Sequence, residues 1–406
     1  MKKSSKYKVQ SSRPDRMAAF LWDESFLWGL MAYKALTAYN LPFDLVSSED
    51  IRKGCLRNYK MLFVPGGWAS NKLKALGDKG LLKIKDFVTK GGSYLGFCGG
   101  AGLATIDGLG LLNVKRKPTK ERVPSFSGRI YLNINEHPIW NNLKKSEVKT
   151  SELETPNSKL ISTLIFHAWW PSQFLIDDKN IKILATYGDA LFDSFSSDLN
   201  VGDVEASGCW QDLEDLYRIN LDPKRLLNEP AVIEGYFGKG RVMLSLIHFD
   251  TPGDISGEMV LRNLWEYLNN SSELQATSNQ LKDKNVFDAL QLYAVNPSLT
   301  NELETAVNDI IALGIRNFLW FWRSPMLLQW RRGVRGLEYC TLFIMIREIA
   351  GILKTEGTRL SKQAIEKGLK EIGEILIPFA DAAKRLLVME RYAVQDRHIT
   401  YEKCDD

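Results

Sequence analysis

The sequence lacks the patterns that announce a function most directly. Its five cysteines (Cys55, Cys98, Cys209, Cys340 and Cys404) include no C-x-x-C pair and are irregularly spaced. That excludes a disulfide framework and a zinc site as readings. Unpaired thiols suit a reducing compartment. No run approaches the roughly 20 apolar residues of a membrane-spanning helix. No transmembrane segment is therefore expected. The first apolar run, Met17–Trp22, is too short for a secretory signal and meets Asp23 and Glu24. A cytoplasmic location is the expectation. A P-loop and internal repeats are missing too, and histidine is scarce, with four in 406 residues. Neither a metal nor an organic cofactor is expected.

Net charge is small as well. The formal value is +4, and residues 1–16 alone hold six Lys/Arg against one Asp. This basic segment reads as a flexible, solvated tail, and the remainder is close to neutral. Nucleic acid is accordingly not an expected partner. The 45% hydrophobic and 25% charged residues are ordinary for a globular chain, and the length suggests two domains.

What is present is an alternation. Up to about residue 110, short apolar runs ("MAAFLW", "FDLVS", "MLFVP", "SYLGF") alternate with helical periodicity. Continuous apolar strands between helices predict an α/β fold with a mostly parallel sheet covered on both faces. From about 128 to 248 strand patterns dominate, interrupted by a polar, irregular stretch at 188–228. "GEMVLRNLWEYL" (257–268) closes this first domain, 17–268, as a helix. "NNSSELQATSNQLKDKN" (269–285) is the predicted linker. Residues 286–406 show apolar spacings of three and four and predict an all-α bundle, with Pro378 expected to kink or divide its last helix.

One segment carries a chemical signal. "SYLGFCGGAGLA" (93–104) ends an apolar strand at Cys98 and follows it with almost nothing but glycine and alanine. A nucleophile at the tip of a strand that turns at once into a helix needs small flanking residues, as in G-x-[nucleophile]-x-G elbows. Gly96-Phe97-Cys98-Gly99-Gly100 fits. The Gly99 amide would face an oxyanion formed by attack of Cys98. The blander reading of the same pentapeptide is a buried, inert cysteine in a glycine-rich turn.

Two distant motifs favour chemistry. Pro65-Gly66-Gly67 follows the third strand and would lie at the same sheet edge as Cys98, where bare backbone can offer a second oxyanion donor. "GKGRVMLSLIHFD" runs a strand out to His248 and Asp250, which point the same way if the segment is extended. A thiol needs a base, and the base needs an orienting carboxylate. His167, in "IFHAWWPSQF", lies beside Trp169 and Trp170 and is a candidate pocket residue.

Taken together, "VPGG", "GFCGGAG" and "GKGRVMLSLIH-x-D" resemble, in order and setting, class I glutamine amidotransferase-like domains with a flavodoxin-like fold. Within that superfamily the closest likeness is to the N-terminal-like branch of biotin-protein ligases, over roughly residues 17–268. The resemblance implies Cys98 as nucleophile, His248 as base, Asp250 in the place usually held by glutamate, and Gly66, Gly67 and Gly99 around the oxyanion. Phe249 stands where proline is usual, and glutamine-recognition, synthetase and biotin-ligase catalytic motifs are missing. The PfpI-type branch instead pairs its elbow cysteine with an acid near the first strand's end, which here makes Asp23 and Glu24 candidates.

Two functions follow as expectations. One is a cysteine-dependent amidohydrolase or amidotransferase-like enzyme acting on a small molecule. The other is a non-catalytic module that holds a small ligand near Trp169 and Trp170. The C-terminal helices are the expected surface for a protein partner or a second copy. Their aromatic cluster, "NFLWFWRSPMLLQW", reads as packing for the bundle or the interdomain face. Between 301 and 406, 16 Lys/Arg face 15 Asp/Glu, which argues against an electrostatic membrane anchor.

Overall fold

The apolar runs form strands because their side chains are buried on both faces of a sheet. Met61–Val64 and the whole of Ser93–Phe97 are buried. A computed structural model describes residues 16–143, 146–149, 160–269, 297–331, 334–355 and 361–395. The expected tail up to residue 15 and the expected linker after Asn269 lie outside the described residues, and Arg16, the last residue assigned to the tail, begins the first strand.

Strands β1 (Arg16–Leu21), β2 (Asp44–Val46), β3 (Tyr59–Val64) and β4 (Ser93–Phe97) alternate with helices α1 (Phe26–Ala38), α2 (Ser48–Arg52) and α3 (Ala69–Thr89). A five-residue helix, α4 (Gly99–Leu103), follows Cys98 directly. Ser47 caps α2 through a reciprocal box with Asp50. The sheet then continues through β5 (Lys115–Arg116), β6 (Phe126–Ile134), β7 (Ser146–Lys149), β8 (Leu160–Trp169), β9 (Phe174–Leu175), β10 (Lys182–Ala190), β11 (Phe195–Ser196), β12 (Leu199–Asn200), β13 (Pro230–Phe237) and β14 (Gly240–Ser245). Of these, β5 and β9 form a separate small pair.

The main sheet has two halves. One runs parallel in the order β2-β1-β3-β4-β14. Its order reverses direction between β1 and β3, the kind of point at which open α/β sheets bind ligands beyond the carboxyl ends of their strands. The other half is antiparallel and continues β14-β13-β10-β6, with β8 and β11 also on β6. The parallel half is the expected flavodoxin-like layout, and the antiparallel strands extend it into a mixed sheet. Residues 188–228 are more ordered than their polarity predicts. They hold the end of β10, β11, β12 and helices α5 (Val201–Ser207) and α6 (Trp210–Tyr217). Helix α7 (Ile255–Asn269) covers the sheet.

Aromatic packing ties α7 and the turn after β14 to the parallel strands. Phe63 meets Phe97 at 5.3 Å and Trp265 at 5.6 Å, and Phe97 meets Phe249 at 5.8 Å between ring centroids. Each such pair contributes about 1 kcal/mol beyond its burial. Phe249 is thus a core side chain with zero exposure.

The C-terminal part contains α8 (Pro297–Arg316), α9 (Leu337–Thr355) and α10 (Lys362–Gln395), the last continuous through Pro378. It is not all-α. The aromatic run expected to finish a helix instead forms a hairpin of β15 (Trp320–Ser324) and β16 (Leu327–Trp330). β-branched residues are scarce there, but the Ser324-Pro325 step breaks the helix and the aromatics pair across the strands. These elements share one apolar cluster with Leu27, Trp28, Leu30 and Met31 of α1 and with Trp169. Helix α1 also buries Ala32, Ala35 and Leu36 in the main core. Its apolar residues therefore surround it, as a helix covered on two sides requires. A salt bridge of 2.6 Å between Lys34 and Glu348 edges this contact.

Candidate active site

Cys98 sits where strand β4 becomes helix α4, with φ +47° and ψ −105°. A non-glycine residue with positive φ is strained, and such strain concentrates at functional turns. The turn is held by its backbone. The Cys98 N–H donates to the Ser245 carbonyl at 2.8 Å, and the Tyr94 hydroxyl donates to the Gly100 carbonyl at 2.7 Å.

The small residues around Cys98 are a steric requirement. A Cβ on Gly99 would lie 1.7 Å from the Gly67 carbonyl oxygen. Gly67 itself has φ +111°, and a Cβ there would meet the Glu24 carbonyl at 2.3 Å. The β3–α3 loop and the elbow therefore touch backbone to backbone, as two parallel strands ending side by side allow. Outside the regular elements, none of the described backbone hydrogen bonds is donated by Gly66, Gly67 or Gly99. Gly99 opens α4, so its N–H has no carbonyl one turn earlier to serve.

His248 and Asp250 meet, although not by the route the sequence suggested. Strand β14 ends at Ser245, and His248-Phe249-Asp250 lies in the turn beyond it. His248 Nδ1 still contacts Asp250 Oδ1 at 2.9 Å, with both side chains almost wholly buried. The Thr251 hydroxyl donates to the His248 carbonyl at 2.8 Å, and the His248 N–H donates to the His167 carbonyl at 2.9 Å. Burial pulls the imidazole's pKa down, but the Asp250 carboxylate and Cys98 outweigh it and push it up to about 10. Nδ1 is engaged by Asp250, so Nε2 is the nitrogen left for Cys98. It is buried with no partner of full hydrogen-bond geometry. Such contacts are often loose before a substrate binds. Asp250 Oδ2 is likewise buried without a partner among the described residues.

The remaining sequence candidates have partners of their own. His167 Nδ1 contacts Asp254 Oδ2 at 2.8 Å, and its ring stacks on Trp169 at 5.2 Å. The Trp169 indole donates to the Thr251 hydroxyl at 3.0 Å. Trp170 stacks on Trp330 at 5.0 Å and meets Trp28 edge-on at 5.4 Å, and Trp28 lies 5.0 Å from the His248 ring. A chain of rings thus joins the C-terminal hairpin to the candidate base. Asp23 and Glu24 are occupied otherwise. The Asp23 carboxylate accepts from the Ser48 N–H at 2.6 Å, at the start of α2. Glu24, at φ +56°, turns its carbonyl toward Gly67.

Several residues near Cys98 escaped the sequence reading. Lys72 is fully buried in the first turn of α3. Its ammonium donates to the Ser25 hydroxyl at 2.6 Å and the Asp23 carbonyl at 3.1 Å. Burial pulls its pKa down to about 7, against opposing charges on Glu24, Asp23 and Cys98. Arg116 and Arg122 lie on the other side, and Tyr187 anchors Ser172 by donating to its carbonyl at 3.0 Å. Only the basic run "KRKPTKER" (115–122) held a signal for any of these. No cluster of three or more metal-binding side chains occurs among the described residues. Among them, no helix is long and apolar enough to cross a membrane.

Residues 43–107, from β2 through the elbow and α4, match the family described as "Biotin-protein ligase, N terminal". No curated protein matches the chain. Among solved structures the chain is similar to PurLQS from Thermotoga maritima at 15% identity and TM-score 0.40, covering 63% of this chain and 100% of that one. It is also similar to a glutamine amidotransferase at 17% identity and TM-score 0.37, covering 63% and 99%. A putative GMP synthase protein from Thermoplasma acidophilum shares 11% identity at TM-score 0.38, covering 67% and 100%.

Proposed function

We propose that this chain is a cysteine-dependent hydrolase or acyltransferase of the glutamine amidotransferase-like kind, acting on an amide or ester of a small molecule. One observation carries the reading. A strained Cys98 stands against bare glycine backbone, and it acts together with the buried Asp250 on His248, whose Nε2 is otherwise unpartnered among the described residues. In the first step Cys98 Sγ, its proton already carried by His248 Nε2, bonds to the carbonyl carbon. The oxyanion is received by the Gly99 N–H and a Gly66/Gly67 amide. His248 returns the proton to the leaving nitrogen or oxygen as the carbon–heteroatom bond breaks, leaving a thioester. Water, deprotonated by His248, then attacks the thioester and restores the thiol. Asp250 holds the ring and balances its charge throughout.

The competing reading is a binding module on the same frame. The incomplete hydrogen bond at His248 Nε2 is the observation that favours it. Alkylation by iodoacetamide at neutral pH separates the two. Hydrolase chemistry requires Cys98 to react faster than the exposed Cys209 and to lose that advantage in His248→Ala. Equal rates at the two thiols, unchanged by the substitution, would leave only the binding module.

A further inference from the structure

Two arginines set against the 172–174 segment converge near Cys98, and neither forms an ion pair with a carboxylate among the described residues. The Arg116 guanidinium lies flat against Gly102. A Cβ there would sit 2.7 Å from its Nη1 and 2.8 Å from its Cζ. The Gly102 N–H donates to the Cys98 carbonyl at 2.9 Å, so Arg116 packs one turn along α4 from the Cys98 backbone. Arg122 Nη1 donates to the Ser172 hydroxyl at 3.0 Å and Nη2 to the Thr119 hydroxyl at 2.5 Å. Its Nε is buried with no partner among the described residues. Burial and then Arg116 pull the Arg122 guanidinium down, while Cys98 acts on it in the opposite sense. Arg116, Arg122 and Cys98 therefore share one field.

Glu229 is taken up by Lys117, which lies between the two arginines in sequence and pairs with it at 2.7 Å. Two like charges held together and partly desolvated are costly, and an anion that both can fork onto removes that cost.

We propose that Arg116 and Arg122 form an anion-binding subsite for the substrate of Cys98. That substrate is then a net-anionic amide or ester, with a carboxylate or phosphate a few bonds from the reacting carbonyl. An ammonium group next to that anion opposes binding, so a free zwitterionic amino acid is a poorer fit than its uncharged-nitrogen counterpart. The substrate role rests on the hydrolase reading. The subsite itself does not.

Iodoacetate and iodoacetamide share a reacting carbon and a leaving group and differ in one negative charge. Their rates at each cysteine can be read by mass spectrometry at low ionic strength. The iodoacetate-to-iodoacetamide ratio at Cys98 should exceed that at Cys209 by about tenfold. It should fall to the Cys209 value in Arg122→Gln and be kept in part by Arg122→Lys. In the unmodified protein, glutarate should protect Cys98 from iodoacetamide at lower concentration than the neutral diamide glutaramide, with no dependence on variant folding. Equal ratios at the two cysteines, or equal protection by the two compounds, would overturn the subsite. Loss of enhanced Cys98 reactivity with iodoacetamide bears on the hydrolase reading alone, because the ratio remains measurable.

Discussion

The parallel and antiparallel halves of the sheet surround the Cys98–His248 region with different materials. The parallel half brings backbone: the Cys98 turn, the Gly66-Gly67 loop and the amides they expose. Strands ending side by side leave no room for side chains, so glycine is required. The antiparallel half brings side chains and carbonyls. It contributes the His167 carbonyl that holds His248, the Trp169 indole, the Trp170 ring and, through the chain between α4 and β6, the two arginines. On the proposed reading, the first half sets the reaction geometry and the second the charge and shape of what binds.

That contrast can be broken at its tightest point first. Gly99→Ala forces a methyl onto the Gly67 carbonyl. Chemical denaturation should show a loss of about 3 kcal/mol or more, with any turnover abolished. A variant of near-native stability would mean that the loop retracts freely.

His248→Ala acts on the border between the halves. It should slow alkylation of Cys98 at neutral pH by about 10²-fold while leaving Cys209 unchanged, and abolish acyl-enzyme formation with an electrophilic carbonyl probe.

Lys72 and His248 make a subtler comparison, because their linkages oppose. Lys72 titrates near 7 when folded and at its ordinary 10.5 when unfolded, so stability from this group rises with pH across that window. His248 titrates near 10 when folded against an ordinary 6.5, so its contribution is full below 6.5 and lost as pH climbs to 10. The two slopes nearly cancel in the native protein. Lys72→Met removes one of them. Its stability should then fall by about 1 kcal/mol per pH unit between roughly 7 and 10. A flat profile in the variant, measured by urea titration at several pH values, would show that the His248 shift is not linked to folding.

The smallest effect is expected at the outer wall. Trp330→Ala removes one ring from the Trp330–Trp170–Trp28–His248 chain. It should cost about 1 kcal/mol of stability and change the rate at Cys98 only a few-fold.

The parallel half was largely legible in advance. Apolar strands read as buried runs, and glycine around Cys98 marks a contact that only glycine tolerates. The His248 turn was legible in its residues but not in its conformation. Two positions on a strand and two positions on a tight turn both bring a histidine to an aspartate, and the motif does not distinguish them. The C-terminal hairpin was missed because tryptophan and leucine suit helices and strands alike. Lys72 was missed for a different reason. A lysine in a helical pattern reads as solvated, and only the fold places Ser25 and the Asp23 carbonyl over its ammonium.

Gln329, in the C-terminal hairpin, accepts a hydrogen bond at 2.7 Å from the Ser127 hydroxyl of β6 and donates its amide to the Ser197 carbonyl beside β11. All three residues are buried. A shortened chain that stops at Asn269 would strip both groups of their partner and uncover Trp28, Leu30 and Trp169 at once. The two portions are better recovered as a nicked pair than as separate products. Cleavage anywhere between 270 and 296 should leave them co-eluting through gel filtration, with the hairpin acting as a plug that the sheet retains.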